Sequence, residues 1–282
     1  GRVGQEISGK KRTNGEVWRL DRYGNNLQSV ALEDHYRTRH DTIKLVVPRL
    51  CKWAGVGCVV EVFNHFSGLL PQEALAELDT KRKQQAVVPD FLFQDSRGQV
   101  TGIAEEKTIG CVPSHYPRKT RGPNQHVRPV DVRASKVQGE YETKLRDHDP
   151  TGRAVARLHD HGKVGGLVVG AFGEFSEDLH SLLNKLVEAR ILGTPELTRG
   201  ARSHAYPWVR RQVAVAALRA RANLRINGLA WCGPGGAAAY ARRHDTATGD
   251  SIARAQMEAA DYATMFRKHG RDWVFHVEWG RC

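Results

Sequence analysis

Residues 167–172 form the run that most constrains the fold, because every position in it is apolar or glycine. A strand of this composition is buried on both faces, so both faces of its sheet need a covering layer. Ser176 then opens a segment with acidic residues in its first turn and leucines at helical spacing, which predicts an amphipathic helix. A sheet covered by helices is therefore expected, and with it an α/β fold.

Three further strands are predicted upstream, in runs rich in valine, phenylalanine and isoleucine that cover residues 58–63, 86–94 and 100–109. The last two runs are joined by the turn sequence Asp95-Ser-Arg-Gly98, which predicts an antiparallel hairpin. The strand at residues 167–172 follows only after a long intervening segment.

Two more helices are predicted between these strands and before them. Apolar spacing indicates one over residues 39–55, with Asp41 or Thr42 as its N-cap, and another over residues 133–147. The order along the chain is then helix, strand, strand, strand, helix, strand, helix. This order predicts a mixed β-sheet flanked by helices.

Composition divides the chain into three predicted parts. Residues 1–35 are polar and basic and are predicted to be an N-terminal arm, residues 36–195 the α/β domain, and residues 196–282 a mainly helical, basic C-terminal extension. Within the extension, helical spacing over residues 208–226 gathers the apolar side chains on one arc. A second arc carries the arginines Arg210, Arg211, Arg221 and Arg225.

The chain is strongly basic, with 43 Lys and Arg against 31 Asp and Glu, a formal charge of +12. Such a surplus favours a polyanionic partner, nucleic acid before an anionic membrane. The five cysteines never stand as C-x-x-C, which disfavours a disulfide scaffold or a zinc finger. The apolar runs fall far short of the ~20 residues of a membrane helix. We expect an intracellular protein, nuclear in a eukaryote, that binds DNA.

Basic residues outside the arginine arc supply further candidate phosphate contacts. Residues 110–132 contain four prolines and are predicted to be a long basic loop. This loop and the helix after it contribute Arg118, Lys119, Arg121, Lys136, Tyr141 and Lys144 as candidate nucleic-acid contacts. The alternatives left open are solvated arginines and lysines that touch no ligand, and a tyrosine that packs on the sheet.

The candidate catalytic residues lie on the two strands of the predicted hairpin. Asp90 stands on the first strand, and Glu105-Glu106-Lys107 stands on the second. Side chains alternate along a strand, so Glu105 and Lys107 share a face that Asp90 can join across the hairpin, while Glu106 points to the other face. Two carboxylates suit Mg²⁺ or Mn²⁺, with the main-chain carbonyl of Glu106 as a further ligand, and a lysine can orient or deprotonate a water.

The sequence Pro89-Asp90 followed by Glu105-x-Lys107 resembles the PD-(D/E)xK nuclease superfamily. Three further stretches resemble the restriction-like endonuclease domain at the C-terminal end of early-branching, site-specific non-LTR retrotransposon proteins. They are RHDTI at residues 39–43, the segment 136–144 with Tyr141, and VGAFGE at residues 169–174. The resemblance extends from about residue 37 to about residue 225.

This resemblance implies a restriction-endonuclease-like mixed sheet and a Mg-dependent endodeoxyribonuclease that hydrolyses phosphodiester bonds. It carries Asp90, Glu105 and Lys107 over as the metal and catalytic positions. It also implies a nick used for target-primed retrotransposition and a place in a larger polyprotein or ribonucleoprotein.

Two questions stay open on the residues alone. Glu61 on the first strand is either a further metal ligand or a solvent-facing glutamate at a strand end. The chain as a whole is either a nuclease or a non-catalytic nucleic-acid-binding protein on the same fold, such as a ribonucleoprotein subunit. Intact Asp90, Glu105 and Lys107 favour the nuclease, because a pure binder gains nothing from carboxylates next to phosphate.

Overall fold

The computed structural model describes residues 3–11, 14–22, 24, 26–28, 35–62, 65–66, 88–95, 97–110, 116, 128–194 and 201–232. The strands are β1 (Glu6–Lys11), β2 (Val17–Arg19), β3 (Gly57–Val60), β4 (Phe91–Gln94), β5 (Val100–Thr108) and β6 (Gly165–Val169). The helices are α1 (His35–Lys44), α2 (Val46–Ala54), α3 (Pro129–Ser135), α4 (Val137–His148), α5 (Arg153–Asp160), α6 (Glu177–Leu192) and α7 (Ala201–Trp231), with a short 3₁₀ turn at Asn26–Gln28.

A four-stranded mixed sheet in the order β3-β4-β5-β6 forms the centre of the fold. β4 is antiparallel to both of its neighbours, β3 and β5, and β6 joins β5 in parallel. The predicted hairpin of β4 and β5 is confirmed, and its turn is closed by the Gly98 N–H, which donates to the Asp95 carbonyl at 3.0 Å. The expectation of a mixed α/β fold with helices flanking the sheet is therefore confirmed.

Apolar side chains from alternate strand positions build a core on each face of the sheet. Phe91 and Ala104 pack with residues of α1, α2, α6 and α7. Their strand neighbours Leu92 and Ile103 pack with residues of α4 and α5 on the other face. β6 contributes buried side chains to both faces, as the apolar run at residues 167–172 predicts, but the strand ends at Val169 and Phe172 is exposed in the turn after it.

The predicted first helix is two helices that meet at Leu45. Pro48 explains the break, because proline has no N–H to donate to the carbonyl four residues earlier, and its ring crowds that carbonyl. The second helix ends as predicted at Gly55, whose φ of 71° is the left-handed conformation that glycine adopts readily. Asp41 and Thr42 lie inside α1, so the prediction that one of them caps the helix is wrong.

Several predicted boundaries shift for local reasons. The helix expected at residues 133–147 is interrupted at Lys136, and α3 begins at Pro129, where a missing N–H costs nothing. The predicted loop over residues 110–132 therefore ends earlier, and most of it lies outside the described residues. Helix α5 was not predicted, because only three buried apolar residues mark its eight positions. The predicted helix after Ser176 is confirmed, and the Ser176 hydroxyl caps it by accepting from the Leu179 N–H.

The two ends of the described chain lie close together. β1 and β2 pair antiparallel within the part predicted as an arm. Ile7 of β1 and Leu20, the residue after β2, are buried with Leu27 against Trp231 at the end of α7. Helix α7 extends beyond the predicted 208–226 at both ends. None of the described helices is long and apolar enough to span a bilayer.

Candidate active site

Asp90 and Glu105 face each other at the start of the hairpin. The pairing of Phe91 with Ala104 makes them the next opposite pair, one position beyond the last paired residues. The Asp90 N–H donates to Oε1 of Glu105 at 3.2 Å, and the Glu106 N–H donates to Oδ2 of Asp90 at 2.8 Å. Each carboxylate is thus fixed by a main-chain donor of the opposite strand, and their predicted convergence is confirmed.

Lys107 joins the two carboxylates from the same strand face as Glu105. Its Nζ lies 2.7 Å from Oε2 of Glu105 and 3.8 Å from Oδ2 of Asp90. Burial alone would lower the pKa of Lys107, but the charges of Glu105 and Asp90 raise it above its ordinary value. Lys107 is therefore an ammonium at neutral pH. In this state it can orient a water and supply positive charge, but it cannot take a proton from the water.

Lys44 of α1 reaches the same cluster and was not predicted. Its buried Nζ lies 2.6 Å from Oδ1 of Asp90 and donates to Oε1 of Glu61 at 2.7 Å. Glu61 follows β3 directly with a φ of 52°, and its N–H donates to the Asp90 carbonyl at 3.3 Å. Glu61 is thus turned toward Asp90 and connected to it through Lys44, rather than pointing into solvent.

His40, one helical turn before Lys44, is the second unpredicted member of the cluster. Its Nε2 lies 3.3 Å from Oδ2 of Asp90 and 3.0 Å from Oε2 of Glu106. Burial would lower the pKa of His40, but the charge of Glu106 and the contacts with Asp41, Asp90 and Glu106 raise it well above its ordinary value. His40 therefore carries a positive charge at neutral pH.

Glu106 points to the opposite face of the strand from Glu105, as alternation predicts. Only 1% of the residue is exposed, and its carboxylate makes an ion pair with His40 rather than a well-aligned hydrogen bond. A buried carboxylate in this position is held by the charge of the imidazolium. The side chain of Glu106 therefore points away from Glu105 as expected. The residue nevertheless contacts Asp90, directly through its N–H and indirectly through His40.

The two facing carboxylates have pKa values displaced in opposite directions. Burial would raise the pKa of Asp90, but His40, Lys44 and Lys107 hold it far below its ordinary value. The pKa of Glu105 is raised, first by burial and then by the charge of Asp90, although Lys107 opposes both. Two adjacent carboxylates in one site typically have pKa values that are displaced apart in this way.

The oxygens of this cluster suit a hard divalent cation. Asp90 Oδ1 and Glu105 Oε2, which are not used by main-chain donors, each already bind an ammonium. Across the described residues, no three His, Cys, Asp or Glu side chains form a group arranged to hold a metal ion. Mg²⁺ commonly takes one or two carboxylates and completes its shell with waters and substrate phosphates, which fits the pair of Asp90 and Glu105.

The remaining candidate contacts are placed differently from one another. Three of them lie outside the described residues: Arg118, Lys119 and Arg121. Two others are exposed, Lys136 just before α4 and Lys144 within it. Tyr141 is only 2% exposed and packs against Phe66, so its predicted contact with phosphate is inconsistent with the structure and the alternative of a core tyrosine holds.

The arginine arc of α7 is exposed at Arg210, Arg211 and Arg225. Arg221 is half-buried and donates to the Gly170 carbonyl, so part of its hydrogen-bonding capacity is used within the protein. The apolar arc of this helix is buried as predicted, from Val209 to Leu224.

The signal that could have identified His40 and Lys44 is their spacing. Residues four apart on a helix share a face, so a helix that presents one of them to the sheet presents both.

No protein-family model, no curated protein and no solved structure matches this chain. The candidate site therefore rests on the chain's own residues and their geometry.

Proposed function

We propose that this chain is a metal-dependent DNA endonuclease with a restriction-endonuclease-like domain. The observation that carries the proposal is the convergence of Asp90 and Glu105 from adjacent antiparallel strands, with Lys107 Nζ 2.7 Å from Glu105. Two carboxylates and a lysine on one sheet face are the residues that metal-assisted hydrolysis of a phosphodiester requires.

Asp90 and Glu105 are the residues that would hold Mg²⁺ or Mn²⁺, and Glu61 is a further carboxylate that is connected to Asp90 through Lys44. The main-chain carbonyl of Glu106 remains a proposed additional ligand. When bound, the metal would supply charge neutralisation at the phosphate and a water of lowered pKa. The backbone bonds to Asp90 and Glu105 fix their carboxylates before any ligand arrives, which lowers the cost of organising the site.

Lys107 acts in this proposal as a fixed ammonium beside the scissile phosphate. It would orient the attacking water by hydrogen bonding and stabilise negative charge that develops on the phosphate oxygens. Its raised pKa supports this role. His40 and Lys44 position Asp90, since each contacts one of its two carboxylate oxygens.

DNA is the proposed substrate because the chain carries a formal charge of +12, with exposed arginines along α7. Charge of this kind supports sequence-independent phosphate contact. By resemblance, the proposed product is a nick that primes retrotransposition, made within a larger polyprotein or ribonucleoprotein.

Nicking of supercoiled plasmid tests this proposal. Wild-type protein should nick with Mg²⁺, stop when EDTA is added, and lose activity in Asp90→Asn, which keeps the shape of the side chain. Asp160→Asn, at an exposed aspartate near the end of α5, is the matched control and should nick normally. Nicking that survives both EDTA and Asp90→Asn would refute the proposal.

A non-catalytic nucleic-acid-binding protein is the second candidate. It is favoured by one observation: His40, Lys44 and Lys107 already neutralise the buried carboxylates without any metal. In that case the cluster would be a structural ion-pair network. DNA binding with no metal-dependent nicking would identify this function.

A further inference from the structure

The turn that follows β6 presents an aromatic side chain on a rigid frame. The Gly170 N–H donates to the Glu174 carbonyl at 2.8 Å, and the Phe172 N–H donates to Oε2 of Glu174 at 2.8 Å. Gly173 has a φ of +83°, which closes the turn in a conformation that other residues rarely adopt. The position of Phe172 is therefore set by its backbone.

Phe172 is 72% exposed on this frame. Among the large apolar side chains that are exposed in the described part of the chain, it is the only aromatic one. Its ring meets the ring of Tyr116 edge to face at 5.0 Å, and the Tyr116 hydroxyl donates to Glu174 and accepts from the Ala171 N–H at 2.6 Å. Phe172 is thus supported by Tyr116 while most of the residue faces solvent.

This turn lies at the edge of the sheet where the strand of Glu105 and Lys107 ends. Val169 pairs with Thr108, the residue after Lys107, and its carbonyl accepts from the Ile109 N–H at 3.1 Å. Phe172 is three residues beyond Val169, so its backbone lies within ~10 Å of that position. The exposed ring therefore lies beyond the end of β6 that adjoins the Lys107 end of β5.

Two arginines lie close to the turn and to the residues that follow β5. Arg221 donates to the Gly170 carbonyl. Arg39 lies beside Gly110, where an added Cβ would be 3.8 Å from one of its guanidinium nitrogens. Burial lowers the pKa of Arg39, and the charges of Glu106 and Arg221 both act on that pKa as well. These guanidinium groups place positive charge beside the turn, which favours a phosphate group there.

We propose that Phe172 stacks on an unpaired base of the DNA strand held at the site, so that the chain prefers DNA with a single-stranded or gapped segment there. This inference rests on the proposed function and specifies its substrate. Aromatic side chains bind bases through their π-faces, and in an intact duplex both faces of each base are covered by neighbours. Phe172 therefore distinguishes unpaired DNA from continuous duplex without reading sequence.

DNA binding measured in EDTA tests the inference, because EDTA removes the metal that cleavage of the probes would require. The probes are a gapped duplex with 2-aminopurine in the gap and the matching continuous duplex with 2-aminopurine at the same position. Phe172→Ala should lower affinity for the gapped probe by about 5- to 100-fold, with the affinity for the continuous duplex unchanged. Quenching of 2-aminopurine in the gap should persist in Phe172→Trp and disappear in Phe172→Ala. Leu192→Ala, at an exposed leucine at the far end of α6, is the control and should change neither affinity.

The results separate this inference from the proposed function. Equal affinity of wild type and Phe172→Ala for the gapped probe, or equal losses on both probes, would overturn the stacking role even where wild type nicks plasmid with Mg²⁺. Failure of wild type to bind either probe would overturn the inference and the proposed function together.

Discussion

The main-chain N–H of Asp90 donates to the side chain of Glu105, which lies fifteen positions later in sequence on the other strand of the hairpin. The bond joins the backbone of one proposed metal ligand to the carboxylate of the other. Any slip in the register of β4 against β5 would break it and would separate the two carboxylates. The geometry of the candidate site therefore depends on the register of the hairpin.

Lys107→Ala should abolish nicking while DNA affinity stays nearly constant, because many dispersed cations hold the DNA and carboxylates would hold the metal. The expected loss is at least ~100-fold in rate. Lys107→Arg should not restore activity, since a planar guanidinium cannot take the compact position of an ammonium 2.7 Å from Glu105. Single-turnover nicking and filter binding measure the two effects. Lys185→Ala, at an exposed lysine of α6, is the control, and a Lys107→Ala protein that nicks normally would contradict the assignment.

Arg210→Ala combined with Arg211→Ala should weaken duplex binding equally on unrelated sequences. Both arginines are exposed on α7, and contacts to phosphate carry no sequence information. The slope of log K against log salt should become shallower by about 0.9 for each phosphate that the variant no longer binds. A loss confined to one sequence would show that these residues read bases instead.

The stabilisation that His40 provides should depend on pH. Because its folded pKa is raised, this contribution is complete below the unfolded pKa of ~6.5 and is lost as pH rises through the higher folded value. The difference in free energy of unfolding between wild type and His40→Gln should therefore be largest near pH 6 and shrink toward alkaline pH. Urea denaturation across this range measures it, and a difference that grows with pH would show that His40 is neutral in the folded protein.

Gly166→Ala should destabilise the fold by about 1–3 kcal/mol, because the new Cβ would lie 2.7 Å from the Cα of Ala134 and force α3 away from β6. Gly139→Ala in α4 is the matched control, since its Cβ meets no atom within 4 Å. That change should be neutral or stabilise by up to about 1 kcal/mol. Thermal unfolding of both variants measures the contrast, and equal effects would mean that α3 does not pack against β6 as described.

Strand patterns predicted the part of the site that depends on neighbouring strands. Alternation placed Glu105 and Lys107 on one face, and the turn at Asp95 to Gly98 indicated that the two strands pair, although a register shift between Phe93 and Gln94 separates that turn from the site. These are short-range consequences of sequence. The buried face of α7 was predicted for the same reason, since helical periodicity alone selects Val209 and Val213.

Contacts between distant elements could not be predicted in this way. His40 and Lys44 reach Asp90 because α1 packs beside the sheet at a particular rotation, and no local pattern specifies that rotation. The position of Tyr141 between Lys136 and Lys144 predicts a phosphate contact, but its side chain occupies a buried position of α4. Glu61 turns toward Asp90 through a positive φ that strand propensity does not indicate.

Binding of Mn²⁺ tests the central claim most directly, because it separates a metal site from an ion-pair network and needs no substrate. Electron paramagnetic resonance of free Mn²⁺ during titration should show one ion bound per wild-type chain. Glu105→Gln combined with Asp90→Asn should abolish that binding, and Asp160→Asn should leave it intact. Equal Mn²⁺ binding by wild type and the double variant, or no binding by wild type, would contradict the account. Asp90 and Glu105 would then be ion-pair partners of Lys44 and Lys107 rather than metal ligands.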